Sequence, residues 1–242
     1  MSKPFFTAWN MAKPVDKPAN QRYERKFVVA DLTPHEIEAM VRLHPAVFFE
    51  TYPQRFVNNL YFDSSDLKSY FDNVDGIKDR IKVRIRWYGD LLGLIENPIL
   101  ELKSKNDLVG GKSSFPLMQF TMNENFRLET IAEVFRRAEI PETLQLHLLA
   151  LEPILLNRYR RKYFQSAGRD FRITLDTEMA FYAINAQNNT FSQKYVDGVN
   201  TVVELKYACE KNREAAEISN FFPFRLSKNS KYANGIERLY SW

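Results

Sequence analysis

The most regular signal along the chain is a two-residue alternation of apolar and charged side chains. Positions 80–88 read RIKVRIRWY, with Ile81, Val83, Ile85 and Trp87 on one side and Lys82, Arg84 and Arg86 on the other. Residues two apart share a face in a strand, so this predicts a β-strand with one buried and one charged face. Positions 99–105 repeat the pattern, setting Glu101, Lys103 and Lys105 against Leu100 and Leu102. Positions 22–29 set Arg22, Glu24 and Lys26 against Tyr23 and Phe27. A strand over 154–164 aligns Arg158, Arg160 and Lys162. One over 171–176 aligns Arg172, Thr174 and Asp176 opposite Phe171, Ile173 and Leu175. A last one over 201–207 aligns Glu204 and Lys206 opposite Val203, Leu205 and Tyr207. Less regular strands are predicted over 46–51 and 55–63, joined at Tyr52-Pro53, and over 115–121.

Helix signals fall between the strands. Thr33-Pro34-His35-Glu36 is a capping box with proline in the first turn, and its helix should end near His44-Pro45. Ser65 or Asp66 is expected to cap a short helix through about Val74, before a turn at Asp75-Gly76. The stretch 123–149 reads as helix broken at Pro141, and 210–219 as another, with a turn and a short helix in the tail. Positions 106–114, with Gly110-Gly111, read as a loop. The stretch 181–196 is ambiguous, with a hairpin around Asn188-Asn189 as one reading. Residues 1–20 carry three prolines and scattered lysines and read as a flexible arm, leaving 21–242 as one domain.

The six charged strand faces raise the first functional question. One such face has an ordinary explanation, an antiparallel sheet wetted on one side. Here Arg and Lys recur at strand centres, where like charges side by side cost stability. That cost is tolerable if the face surrounds a polyanion. Closed into a barrel, the strands would form a cationic tunnel, its apolar face outward and covered by helices. The carboxylates Glu24, Glu101, Asp176 and Glu204 lie among these cations. They either relieve repulsion by ion pairing or supply oxygen ligands for Mg²⁺ or Mn²⁺ beside substrate phosphates. Glu204, Glu24 and Glu101 are the candidate metal ligands, Glu204 foremost.

Composition narrows the alternatives. Of the 242 residues 45% are hydrophobic and 26% charged, which fits a globular domain and argues against disorder. Only 8 glycines occur, which disfavours a glycine-rich nucleotide loop. Cys209 is the single cysteine, excluding an internal disulfide and a cysteine zinc cluster. His35, His44 and His147 show no ligand spacing. The net charge of +4 is mild, so the placement of charge matters more than its sum. No apolar run is long enough to span a bilayer and the first residues do not read as a signal peptide, so a cytoplasmic location is expected. Trp87 lies opposite the arginines of its strand, so stacking and charge would not act together on a nucleic acid, and none is expected as a partner.

Taken in order, the motifs resemble one family. Tyr23-Glu24-Arg25-Lys26-Phe27 resembles the E-x-K opening of the VTC domain, the polyphosphate polymerase domain of the vacuolar transporter chaperone family, within the CYTH-like or triphosphate tunnel metalloenzyme superfamily. The resemblance continues through Leu60-Tyr61-Phe62-Asp63, Asp75-Gly76, the segment from Lys82 to Gly89 and Leu100-Glu101-Leu102-Lys103-Ser104-Lys105. It goes on through Arg158-Tyr159-Arg160-Arg161, Arg172-Ile173-Thr174-Leu175-Asp176 and Val203-Glu204-Leu205-Lys206-Tyr207, to Ser230-Lys231-Tyr232-Ala233-Asn234-Gly235. Each motif is short, but nine in order, seven of them on the expected strands, are specific, and they cover about 21–238.

The resemblance implies an α+β fold built on a closed eight-stranded antiparallel β-barrel tunnel with a cationic interior and helices outside and at the ends. It implies transfer of the ATP γ-phosphate to a growing polyphosphate chain, with Mn²⁺ or Mg²⁺. Arg84, Arg86, Lys103, Arg160 and Arg172 would be catalytic. Lys26, Lys82, Lys105, Arg158, Lys206, Lys228 and Lys231 would bind substrate, and Glu204 would hold the metal. Alternatives remain: a tunnel triphosphatase acting on ATP or another triphosphate, or a polyphosphate-binding module of a larger assembly without turnover. Arg22 stands where the superfamily's fuller E-x-E-x-K opening has a carboxylate, which counts against a two-metal triphosphatase. The stretch after Lys105 offers only Lys112 where basic residues are usual, and Ile236 follows Gly235 where Met is common. Membrane attachment and product export would fall to a membrane-protein partner.

Overall fold

A computed structural model describes residues 22–106, 109–185 and 189–240; the predicted arm lies outside them. The main sheet contains β1 (Arg22–Val29), β2 (Phe48–Asp63), β3 (Arg80–Tyr88), β5 (Ile99–Asn106), β6 (Val109–Pro116), β8 (Glu152–Ser166), β9 (Arg172–Ala183), β10 (Lys194–Asp197) and β11 (Thr201–Ala208). Its order is β1-β11-β9-β8-β2-β3-β5-β6, all antiparallel, with β10 added to β9. The short strands β4 (Gly93–Ile95) and β7 (Phe120–Met122) form a second, two-stranded sheet. Six helices occur among the described residues: α1 (Pro34–Arg42), α2 (Lys68–Val74), α3 (Leu128–Arg136), α4 (Glu142–Leu149), α5 (Asn212–Phe221) and α6 (Lys231–Leu239).

The main sheet curls strongly into a half-barrel, which corrects the expected closed barrel. No ladder joins β1 to β6 among the described residues. The edge of β1 is already taken. Leu226 bridges to Phe27, the Ser227 amide donates to the Lys26 carbonyl, and the Val28 amide donates to the Ser227 hydroxyl. Those contacts occupy the Lys26–Val28 part of the edge that β6 would need for a ladder. Side chains span the opening instead: Lys103 Nζ of β5 lies 3.1 Å from Glu24 Oε1 of β1.

The convex side carries the apolar halves of the alternating strands. On β2, β3 and β5, Leu60, Val83, Ile85, Leu100 and Leu102 pack with Ile131, Val134 and Phe135 of α3 and Leu144 and Leu148 of α4. On β1, β9 and β11, Phe27, Ile173, Leu175, Val203 and Leu205 pack with Ile37 and Val41 of α1 and Ala215 and Ile218 of α5. Each fully buried large side chain contributes about 1.5–3 kcal/mol, so these two layers are what hold the curl. A third cluster lies on the concave side, where α6 and α2 enter: Tyr232, Ala233 and Ile236 pack on Tyr61, Leu155, Tyr159 and Phe181. Gly235 is required there. A Cβ at that position would lie 2.5 Å from Leu155 and 2.7 Å from Phe181.

Local expectations fare unevenly. The Thr33 capping box forms as read. The two strands either side of Pro53 are one long strand, its pairing irregular between Glu50 and Tyr52 and again between Tyr52 and Arg55, which lets the proline sit in it. Neither Ser65 nor Asp66 supplies the side-chain cap of α2. Leu67 is its N-cap, in the left-handed region, and Asp63 accepts hydrogen bonds from the Ser69 and Tyr70 amides. Much of the expected loop at 106–114 is β6, paired with β5. The ambiguous 181–196 stretch contains the end of β9 and the start of β10, which pair antiparallel; Asn188 lies outside the described residues.

Candidate functional site

The concave face gathers most of the predicted cations. Its centre is Glu204 on β11, 7% exposed, which lies 2.9 Å from Lys206, 3.4 Å from Arg161 and 3.7 Å from both Lys26 and Lys231. Beside it, fully buried Asp176 takes two hydrogen bonds from the Arg161 guanidinium and pairs with Lys231. On the neighbouring strands Arg84 donates twice to Glu101 Oε2, at 2.8 and 2.6 Å, and once to the Tyr61 hydroxyl at 3.2 Å. Arg86 donates to Asn59 Oδ1 and to the Tyr159 hydroxyl. Lys112 of β6 lies 2.6 Å from Glu101 Oε1. The segment entering α6 reaches over the site, its Asn229 carbonyl accepting from Lys26 Nζ and its Ser230 hydroxyl from Lys82 Nζ.

The electrostatics show cations in excess. Burial opposes the Glu24 charge, but Lys103, Lys206 and Lys26 outweigh it and hold that carboxyl at about 2. Burial likewise opposes Glu101, and Arg84, Arg86 and Lys112 bring it to about 2. Glu204 and Asp176 are held below the usual carboxylate range against burial, by Lys206, Lys231, Lys26 and Arg161 for the first and by Arg161 and Lys231 for the second. Lys82 goes the other way. Burial, then the cations Arg80, Lys26, Lys103 and Arg84, push its ammonium from 10.5 down to about 7. Lys103 is also lowered, chiefly by burial. Burial is the larger cause, and the like charges around Lys82 add to it.

The predicted residues divide by location. Lys26, Lys82, Arg84, Arg86, Lys103, Lys206, Lys231, Glu24, Glu101 and Glu204 come together on the concave side. Arg172 stands in register with Lys206 of β11, exposed and without a hydrogen bond or ion pair among the described residues. Lys228 is exposed in the segment before α6, and the Lys105 side chain lies outside the described residues. Arg158 and Arg160 do not line this face. They share a side of β8 with Leu156 and Phe164, which pack in the two convex-side cores. Arg158 stacks on Phe56, its guanidinium carbon 3.7 Å from the ring centre, and Arg160 pairs with Glu178 at 2.8 Å. Lys162, aligned with them, pairs with Glu38 of α1.

The inward residues of β8 include Leu155, Asn157, Tyr159, Arg161 and Tyr163, and Arg161 is the cation among them that the sequence reading missed. Both faces of that strand are polar, so alternation alone did not say which turned inward. A signal existed: Asp176, grouped with the charged inner face, needs a buried cation opposite, and a strand directly paired with β9 can supply it. The β8–β9 register puts Arg161 opposite Asp176. That pairing slips by a residue between Arg158 and Arg160, near Glu178 in its left-handed conformation, so the inward parity of β9 changes beyond Asp176.

The donor set bears on a divalent cation. Glu24 and Glu204 share one ammonium, Lys26 Nζ, at 3.5 and 3.7 Å, so two carboxylates converge on one point. Mg²⁺ and Mn²⁺ commonly take one or two protein carboxylates and draw the remaining oxygens from water and phosphate. Glu24 and Glu204 fit that pattern. Glu101 stands apart from them: its partners are Arg84, Arg86 and Lys112, and it shares no cation with the other two. Among the described residues no group of three or more His, Cys, Asp or Glu is arranged to hold a metal by itself.

Comparison with known proteins fits this face. The sequence profile of the VTC domain matches residues 21–240, nearly the whole chain. The chain belongs to the VTC domain family. Two curated relatives, both named vacuolar transporter chaperone complex subunit 4, come from Trypanosoma cruzi (strain CL Brener) and Trypanosoma brucei brucei (strain 927/4 GUTat10.1). Each is 24% identical, with 88% of this chain aligned to 32% of the relative, so this VTC domain spans about a third of their length. A crystal structure of a proposed adenylate cyclase from Vibrio parahaemolyticus superposes with a TM-score of 0.51 at 11% identity, covering 87% of this chain and 95% of that one. That likeness concerns the fold alone. No helix among the described residues is long and apolar enough to cross a membrane.

Proposed function

We propose that this VTC domain is a polyphosphate polymerase. In this reading the terminal oxygen of a polyphosphate chain attacks the ATP γ-phosphorus, the bond to the β–γ bridging oxygen breaks, and ADP leaves. The observation that carries the reading is the convergence of Lys26, Lys82, Arg84, Arg86, Lys103, Arg161, Lys206 and Lys231 on one concave face around fewer carboxylates. Such a face gains by accepting a polyanion. Phosphoryl transfer asks the protein mainly for positioning and charge stabilisation, so no activated nucleophile is needed.

Each group has a role on this reading. Arg84, Arg86 and Arg161 offer planar donors suited to non-bridging phosphate oxygens. Their carboxylate, amide and tyrosine partners fix them before substrate arrives. Lys26, Lys82, Lys103, Lys206 and Lys231 are point charges around them, and Arg172 extends the cationic track. Glu24 and Glu204 would hold a divalent cation, which when bound would neutralise charge on the phosphate oxygens. By the names of the relatives, the domain would work within a larger assembly, with membrane attachment and export left to a partner.

The test is ³¹P NMR of the protein with ATP and Mn²⁺, then with Mg²⁺. Internal-phosphate resonances growing with ADP are expected from wild type and not from Arg84→Ala. Orthophosphate alone would replace the reading with a triphosphatase. A second reading has its own support: Glu24, Glu101 and Glu204 are each engaged by cations already, as in a face built to bind rather than turn over. Polyphosphate binding with ATP unchanged would select it.

A further inference from the structure

We propose that the rim of the concave face is a stacking platform for the base of a purine nucleoside triphosphate, formed by Tyr88, Tyr52 and Arg55. This rests on the reading of that face as a phosphate site and names what its donor carries. The positions follow from strand parity. Tyr88 is the next inward position of β3 after Arg86, about 7 Å further along the strand. Arg55 pairs with Arg161 across β2 and β8, and Tyr52 pairs with Tyr163, the inward position after Arg161. The cluster therefore continues the cationic track at the end away from α6.

Its geometry is that of a π surface left open. The Arg55 guanidinium carbon lies 4.0 Å from the Tyr88 ring centre and 5.0 Å from that of Tyr163, with Arg55 Nε donating to the Tyr163 hydroxyl. Tyr52 meets Tyr163 edge-on at 5.7 Å. Arg55 has no ion pair among the described residues, so the rings and the Tyr163 hydroxyl are what hold its charge. Both rings keep accessible surface beside Arg55, Tyr52 being 58% and Tyr88 43% exposed. A flat base with its triphosphate directed toward Arg86 and Arg161 would cover the rings and leave the anion on the cations. Stacking reads a π-face and not a hydrogen-bonding edge, so ATP and GTP should bind within about fivefold of each other.

The experiment is calorimetric titration of the full chain with ATP, GTP and inorganic tripolyphosphate. In the double variant Tyr52→Leu/Tyr88→Leu, ATP and GTP should weaken by about 5- to 100-fold while tripolyphosphate stays within about twofold. Tyr88→Phe, which keeps the ring, should match wild type. Unchanged nucleotide affinity, or an equal loss for all three ligands, overturns the platform. Wild type that binds tripolyphosphate no more weakly than ATP also overturns it, leaving the phosphate site intact. Wild type that binds no tripolyphosphate removes the phosphate site itself and the platform with it.

Discussion

Arg160 and Arg161 are sequence neighbours with opposite fates, and the contrast is testable. Arg161→Ala should abolish measurable tripolyphosphate binding and destabilise the fold. It strips Asp176 of its bidentate partner, a loss of the kind that costs about 3–5 kcal/mol, eased here by Lys231. Arg160→Ala removes an exposed pair and should change stability by less than about 1 kcal/mol, with binding retained. Denaturant melts and titrations of both variants decide this. Lys82 gives a pH signature. Its folded pKa of about 7 lies below the ordinary 10.5, so between those values the unfolded chain holds the extra proton. The Lys82 contribution to stability therefore becomes more favourable as pH rises through that window. Polyanion binding should return the proton to Lys82, so affinity should fall as pH rises above about 7. Lys82→Met should flatten both slopes, which melts and titrations across pH 6–10 would read.

Among the elements, α1 and α6 carry the sharpest expectations. Thr33→Ala breaks a complete capping box and should cost about 1 kcal/mol in a chemical melt. Gly235→Ala should cost about 1–3 kcal/mol, because its Cβ meets Leu155 and Phe181 and pushes α6 off the strands. It should also weaken tripolyphosphate binding, since Ser230 and Lys231 at the start of that helix touch Lys82, Asp176 and Glu204. The capping box was readable because its partners are three residues apart. The real cap of α2 was not, because Asp63 belongs to the preceding strand and also accepts from the Tyr232 hydroxyl, far along the chain.

For the whole molecule, the shape follows from two helix layers outside and a strap along one edge. The convex cores bend the sheet, and Leu226-Ser227 occupies the β1 edge that a closed barrel would need. The concave face then holds its cations at partly desolvated, fixed positions with four carboxylates among them. Binding of a polyanion there should be strongly salt-dependent. Tripolyphosphate affinity is expected to fall by about tenfold or more between 50 and 500 mM salt, as screening shortens from roughly 14 to 4 Å. A salt-insensitive affinity would mean that few of these cations take part.

Local pattern alone was enough for the strongly alternating strands β1, β3, β5, β9 and β11, for the faces on which Lys82, Arg84, Arg86, Glu204 and Lys206 lie, and for the family. Side-chain alternation and capping are local, and they survive in any tertiary arrangement compatible with them. It took the folded chain to turn Arg161 rather than Arg160 inward, to leave the half-barrel open beside β1, and to bring Tyr52, Arg55 and Tyr88 together at its rim. Each of these depends on register between strands or on a competitor for an edge. A strand polar on both sides carries no record of which side the rest of the chain will enclose.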